Sequence, residues 1–353
     1  MFRWKRWAAI LAAPLLAVGL SACGQTQSAG GSPANAGGGS AGGDIQSLTI
    51  KISHVVAEDT PKHQGALAMK DTIEKESGGK IKVQVYPNSQ LFGDKDEYQN
   101  LVANNVQFII PDMAKLVGND PGFNIPSMPF LFDSDEAAEA FWDGPKGQEI
   151  FKHLEKDGVL GLAMWPNGPK SITNNVRPIK SPEDMKGLKF RTQGGQVLEK
   201  VYSTLGAGSV SIPFDELYTA LQQGTVDGEE NTFSNIESKK FYEVQKYMTI
   251  TNHTRVDYVL LTNTKFWNSL NDATKKIVMD GVKAGTQVAR QKAAELNASA
   301  LDKIKATGKM QIYTLTPEDV QKWRDALKPV YDEWTSKIGA DVIQDAMSHN
   351  KKG

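Results

Sequence analysis

The chain has 353 residues, 40% hydrophobic and 23% charged, with 40 Lys plus Arg against 41 Asp plus Glu and a formal net charge of −1. So even a balance supplies no basic surface for nucleic acid. The one cysteine, Cys23, excludes an intrachain disulfide framework, and the residues after it offer neither a thiolate nucleophile nor a cysteine-bound metal.

The N-terminus carries Arg3, Lys5 and Arg6, then a 14-residue apolar run from Trp7 to Leu20. A basic start followed by a short apolar core reads as a secretory signal. A membrane-spanning helix needs ~20 residues, and Pro14 interrupts this run. The tetrapeptide Leu20-Ser21-Ala22-Cys23 resembles a bacterial lipoprotein lipobox. That resemblance implies a signal peptide over residues 1–22, a lipid on Cys23 and an extracytoplasmic product held to the membrane; the simpler alternative is a chance cysteine near an ordinary cleavage site. Residues 24–43 hold eight glycines and almost no large apolar side chain, so residues 23–45 are expected to form a flexible tether reaching roughly 25 Å. Losing the three basic residues of 1–22 leaves 37 basic against 41 acidic side chains, a net charge of −4.

The body, from about residue 44, alternates strand and helix signals. Leu48 to Ser53 reads as a strand, and Thr60-Pro61 opens a helix that Gly78-Gly79 closes. The alternation of Ile81, Val83 and Val85 is a second strand. Asp94 is placed to cap a further helix with Glu97 as its capping-box partner, and Val106 to Ile110 follows as a buried strand. The pattern resumes at Val159 to Met164, with a short helix from Ser181-Pro182, a strand over Lys189 to Thr192, and a helix showing Val197, Leu198, Val201 and Leu205 on one face. Alternation of this kind predicts two α/β lobes with largely parallel strands. From about Asn271 to Ala306, helical spacing of Ile277, Val278, Gly281, Val282, Gly285, Val288 and Ala289 runs without proline. At 1.5 Å per residue that is on the order of 50 Å, the length of a strut crossing both lobes, unless it breaks into a kinked pair.

Catalytic signatures are missing at recognisable spacing. His54, His63, His153, His253 and His349 are scattered, Gly206-Ala-Gly208 lacks the third glycine of a dinucleotide loop, and Gly144-Pro-Lys-Gly147 lacks the ending of a P-loop. The expectation is a protein without cofactor or metal that is not an enzyme.

What stands out instead is a long ordered block: Gly187-Leu-Lys-Phe-Arg-Thr-Gln-Gly-Gly195, Ile212-Pro-Phe-Asp-Glu-Leu-Tyr-Thr-Ala-Leu221, Val226-Asp-Gly-Glu-Glu-Asn231, Lys240-Phe-Tyr-Glu-Val244 and Thr251-Asn-His253. This succession resembles the solute-binding proteins of TRAP (tripartite ATP-independent periplasmic) transporters, the DctP family, from about Thr49 to near the C-terminus. Tyr86-Pro-Asn-Ser-Gln-Leu-Phe-Gly-Asp94, Trp165-Pro-Asn-Gly-Pro-Lys170 and Asp257-Tyr-Val resemble its C4-dicarboxylate branch. The resemblance implies an α/β, two-lobed periplasmic-binding-protein-like fold with a central ligand cleft and a long helix spanning both lobes. Lobe I would comprise residues 46–168 plus 258–296, and lobe II residues 169–257 plus 297–353. It further implies capture of malate, succinate or fumarate and delivery to membrane permease subunits. The alternatives are another organic acid (uronic, sugar or aromatic) or a subunit presenting ligand to a receptor kinase.

Arg191 suits an anion on chemical grounds, because its planar fork can engage both oxygens of a carboxylate. Taken alone it fits equally well a structural ion pair with Asp227, Glu229 or Glu230. The resemblance implies that Arg191 pairs with the ligand carboxylate and that Asn231 donates to it. A dicarboxylate needs further cationic donors, for which Lys115 and Lys170 are the candidates, with Asn167 beside the latter; each lysine is otherwise a solvated charge. Phe214 and Trp165 would wall the pocket or else sit in the core. His54 and Tyr258 match positions near the family's cleft, and Gln90 and Gln193 would donate to ligand oxygens or cap turns. Two positions depart from the family pattern: Glu229 stands where glutamine is usual, and Asp112-Met113 replaces a small polar pair.

Overall fold

The computed structural model describes residues 43–351; the predicted signal, Cys23 and the glycine-rich run up to residue 42 lie outside the described residues. Eleven strands are described: β1 (Leu48–Ser53), β2 (Ile81–Tyr86), β3 (Phe108–Ile109), β4 (Val159–Pro169), β5 (Ser171–Asn174), β6 (Lys189–Thr192), β7 (Gly208–Ser211), β8 (Gly228–Asn231), β9 (Tyr247–Ile250), β10 (Arg255–Asn263) and β11 (Gln311–Thr314). They form two sheets, ordered β2-β1-β3-β10-β4 and β11-β9-β5-β8-β6-β7.

Each sheet is mixed, which corrects the expectation of largely parallel strands. β1 runs parallel to β2 and β3, and β6 parallel to β7 and β8, as helical crossovers require. β10 is antiparallel to β3 and β4, and β5 is antiparallel to β8 and β9. The reason lies in the connections. β4 leads into β5 through the single residue Lys170, and β9 returns to β10 through residues 251–254, so neither passage contains a helix that would reset the strand direction. The two passages lie side by side: Lys170 N donates to Thr254 O at 2.8 Å and Asn252 N donates to Lys170 O at 3.0 Å.

The third passage is the helix Asp272–Thr307, 36 residues without a break. The Asn271 side chain accepts from Thr274 N at its start, and Gly308, at φ +62°, ends it in the left-handed conformation. It packs along the helix Pro61–Glu76 beside the first sheet and touches the helix Phe233–Ser238 beside the second. Glycine makes the first approach possible: a Cβ on Gly285 would stand 2.8 Å from Gly65 O, and one on Gly281 would collide with Ile73. The last long helix, Pro317–Ile338, buries Trp323, Leu327, Val330 and Trp334 against the helix Gln196–Thr204 and the turn Pro121–Ser127.

The helix expected from Asp94 starts later, over Glu97–Val102, with Asp96 at its N-cap. Asp94 does not cap it. Its carboxylate accepts from Phe214 N at 2.8 Å, a bond between segments flanking the two sheets.

Candidate functional site

Strands β1, β3, β6, β7 and β8 all direct their carboxyl ends toward one cavity. Val55 and Val56 follow β1, Asp112 and Lys115 follow β3, Arg191 and Gln193 close β6, Phe214 follows β7 and Asn231 ends β8. Asp94, Asn235, Val256 and Tyr258 complete the wall. The carboxyl edges of parallel strands are where open α/β sheets gather their ligand groups. The space between these side chains is about 360 Å³ with open solvent included.

Arg191 sits in β6 between β7 and β8, aligned with Val210 and Glu229. Only 2% of it is exposed, and its Nε donates to Ile212 O at 2.8 Å. None of its nitrogens makes an ion pair among the described residues: Asp227 is engaged by Lys189 N, and Glu230 by Lys170 and His253. Burial draws the guanidinium below its ordinary pKa, opposed by Asp94, Glu229 and Asp112; arginine stays charged regardless. Its carbon is 5.9 Å from the Phe214 ring centroid, so the aromatic face covers one side of the cation.

Asn231 donates from Nδ2 to Glu229 Oε2 at 3.0 Å and accepts at Oδ1 from Asn235 Nδ2 at 2.7 Å. Asn235 Nδ2 also lies 3.4 Å from Tyr258 Oη. The chain fixes the orientation of the Asn231 amide through these two contacts and leaves one Nδ2 hydrogen free. Lys115 lies 3.5 Å from Asp94 Oδ2. Gln193 is buried with its Nε2 lacking a hydrogen-bond partner among the described residues. An unpaired amide nitrogen in the wall of a cavity is a donor in want of an acceptor.

The cavity therefore gathers Arg191, Asn231, Lys115, Phe214, Tyr258 and Gln193 from the sequence candidates. Lys170 lies elsewhere, fully buried at the passage between the sheets. Its Nζ is 2.6 Å from Glu230 Oε1, and His253 Nε2 is 3.0 Å from the other oxygen. Burial would raise the Glu230 carboxyl, yet Lys170 and His253 together hold it down at about 2. Asn167 Nδ2 donates to Thr232 Oγ1 at 2.6 Å, and Trp165 Nε1 donates to Thr286 Oγ1 at 2.9 Å with its ring against Gly65 and Gly285. His54 is buried with Nε2 3.1 Å from His63 Nδ1, and Gln90 is exposed in the turn after β2.

Sequence reasoning did not select Lys62, Asp94 or Asn235 for the site. Lys62 is buried beneath the cavity, its Nζ donating to Ile110 O at 2.7 Å and standing 3.4 Å from the Tyr258 ring centroid. Burial lowers it to about 8, against the pull of Glu97, Asp94 and Asp112. A signal did exist: lysine in the first turn of a helix opposes the macrodipole and needs a local reason. Asp94 left no such mark, since its partner Phe214 is 120 residues away, and Asn235 left none because its bond to Asn231 gains meaning only once Asn231 is placed in the cavity wall.

The arrangement can hold a small anion. Guanidinium, ammonium and amide donors converge on a space partly walled by Phe214, Val55, Val56 and Val256. Across the mouth, Lys95 Nζ lies 3.0 Å from Glu216 Oε1 and Lys239 Nζ 3.3 Å from Asn88 Oδ1.

Residues 52–337 match the family model for bacterial extracellular solute-binding protein, family 7, DctP. A C4-dicarboxylate-binding protein of Bacillus subtilis is 36% identical over 304 residues, covering 86% of this chain and 87% of its own. A TRAP periplasmic solute-binding protein of Shewanella oneidensis with bound succinate superposes with a TM-score of 0.84 at 39% identity, covering 86% of this chain and 99% of that one. One from Pseudomonas aeruginosa with bound L-malate gives 0.79 at 39% identity, with coverage of 81% and 99%.

Proposed function

The chain belongs to the DctP family of bacterial extracellular solute-binding proteins, and from that membership we propose that it captures a C4-dicarboxylate between its two sheets and delivers it to TRAP permease subunits. The observation that carries this reading is the Arg191 guanidinium, buried in the cavity wall without an ion pair among the described residues. A buried cation without a counter-ion calls for an anionic ligand, since an uncompensated buried charge is costly.

In this reading the terminal nitrogens of Arg191 take one carboxylate in a bidentate contact, with the free Nδ2 hydrogen of Asn231 beside it. Lys115 meets the second carboxylate, and the Phe214 ring and valines enclose the short carbon chain. Each charge-assisted bond contributes about 1.5–3 kcal/mol. Three or four of them support micromolar binding only from a preorganised cleft. The Asn235–Asn231–Glu229 chain of bonds supplies that order. Lys170 supports the site from behind by neutralising Glu230, the neighbour of Asn231 in β8.

The test is a thermal-shift panel on residues 44–353 with succinate, malate, fumarate, galactonate, galacturonate and orotate, followed by calorimetry. A ligand at 100 times its dissociation constant adds about 2.7 kcal/mol, so a four-carbon diacid should raise the Tm by several degrees. A shift confined to the sugar acids or orotate would replace the dicarboxylate reading. Cys23, read as lipidated, would keep the receptor beside its permease; Cys23→Ser should release the protein from membranes with ligand affinity unchanged, and continued membrane retention would refute the anchor.

A further inference from the structure

The wall that carries Lys115 also carries a carboxylate. Asp112 lies three residues beyond β3, and its Oδ1 accepts from Ala114 N at 2.8 Å, capping the turn Met113–Leu116. Oδ2 has no hydrogen bond and no ion pair among the described residues. Asp112 lines the cavity and keeps part of its surface accessible, while its neighbours Pro111, Met113 and Ala114 are buried. Burial raises its carboxyl to about 6, with Lys170 and the Ala114 amide foremost in opposing the rise. At neutral pH it is therefore mostly ionised, an acceptor facing a space meant for an anion.

Such a group cannot be neutral toward ligand choice. Against a ligand carboxylate it is repulsive, and against a methylene it is desolvated with no donor in return. A hydroxyl on the ligand chain removes the conflict, because it presents an O–H to an oxygen that the protein leaves unpaired. Arg191 and Lys115 remain available for the two carboxylates.

We propose that Asp112 is a specificity-determining residue that selects a four-carbon diacid bearing a hydroxyl group over the unsubstituted diacid, by accepting the hydroxyl hydrogen at Oδ2. This inference rests on the dicarboxylate reading above. It assigns a role to one of the two positions at which the chain departs from the family pattern.

The experiment is calorimetry at pH 7.5 with malate and succinate on the wild-type body and two variants. A site built to bond a hydroxyl rejects the analogue lacking it, so malate should bind at least about tenfold more tightly than succinate. Asp112→Asn keeps the capping oxygen and places an N–H donor where Oδ2 stood. The preference should then fall below about twofold, with succinate binding more tightly than to wild type. Asp112→Ser retains a capping hydroxyl without the second oxygen; it should bring the two acids together, and it stands in if the first variant fails to fold. Equal affinity of wild type for the two acids would overturn the proposal, as would an undiminished malate preference in both variants. Equal affinities that also strengthen toward pH 6 would mean that a protonated Asp112 donates to a carboxylate instead, which overturns it too. Binding of neither diacid would bring down the dicarboxylate reading and this proposal with it, whereas equal binding of both removes the proposal alone.

Discussion

Two residues of adjacent strands share one electrostatic problem. Arg191 and Glu229 are register partners in β6 and β8, both buried, yet they form no ion pair. Arg191 holds its charge, so replacing it with lysine should keep the fold while discarding the bidentate fork. We expect Arg191→Lys to lose about tenfold to a hundredfold in affinity for the acid, with the Tm of the unliganded protein within a few degrees of wild type; calorimetry showing undiminished binding would remove Arg191 from the site. Glu229 behaves in the opposite way. Burial raises it from 4.5 to about 7, against bonds from Asn231 and Thr173 and the pull of Arg191. A folded-state value above the unfolded one means that the folded chain binds the extra proton, so stability falls as pH rises from about 4.5 to about 7. Glu229→Gln should abolish that slope and stabilise the protein at pH 8 by ~1–3 kcal/mol. The amide still accepts from Asn231, and Thr173 can accept from it while donating to Gln245. Melting curves at pH 5 and pH 8 test this; equal shifts at both would exclude the buried charge as the cause.

At the scale of elements, the long helix packs through close glycine contacts as well as through buried Ile277, Val278, Val282 and Ile304. Alanine in place of a mid-helix glycine gains up to ~1 kcal/mol of intrinsic propensity. At Gly285 the new Cβ would sit 2.8 Å from Gly65 O, 3.0 Å from Met69 Cβ and 3.1 Å from Trp165 Cζ2, with rigid backbone among the obstacles. Overpacking of that kind costs about 1–3 kcal/mol, so Gly285→Ala should be net destabilising by denaturant unfolding; a stabilised variant would show that the two helices separate without cost. The passage at Lys170 follows a different logic. Lys170→Met leaves Glu230 with His253 and the Thr254 hydroxyl and should destabilise by about 3–5 kcal/mol, whereas Lys170→Met with Glu230→Gln should recover most of that. Loss in the double variant equal to the single would mean that the lysine acts through something other than the pair. Helices and strands of this kind were legible locally, since the spacing of Val197, Leu198 and Val201 encodes one buried face. Strand direction in β5 and β10 was not, because it depends on where each strand arrives from.

Across the whole molecule, three passages join the sheets and the cavity lies between them, so opening and closing is the motion the topology allows. The contacts that bridge the mouth differ in strength. Lys95 and Glu216 are largely exposed and contribute ~0–1 kcal/mol. Asp94 to Phe214 N is partly buried and worth more. A ligand bound by groups on both sides should therefore drive closure. Small-angle scattering is expected to show a smaller radius of gyration with saturating diacid, while Lys95→Ala changes affinity less than about threefold. An unchanged radius would mean that the free protein is already closed.

By itself the sequence determined the α/β alternation, the long helix with its glycines, and the block from Gly187 to His253 that carries the family. These are short-range properties: side-chain periodicity, caps and ordered motifs are written in consecutive residues. The tertiary structure alone decided which polar groups share a space. Lys115 and Lys170 look alike as isolated cations, yet one reaches the cavity and the other neutralises Glu230 at the crossing. Asp94 looked like a helix cap and instead ties Phe214 across the mouth. The physical reason is that a cavity is made by the ends of strands far apart in sequence. Which side a charge turns to is set by the partner it meets there, and a local pattern does not contain that partner.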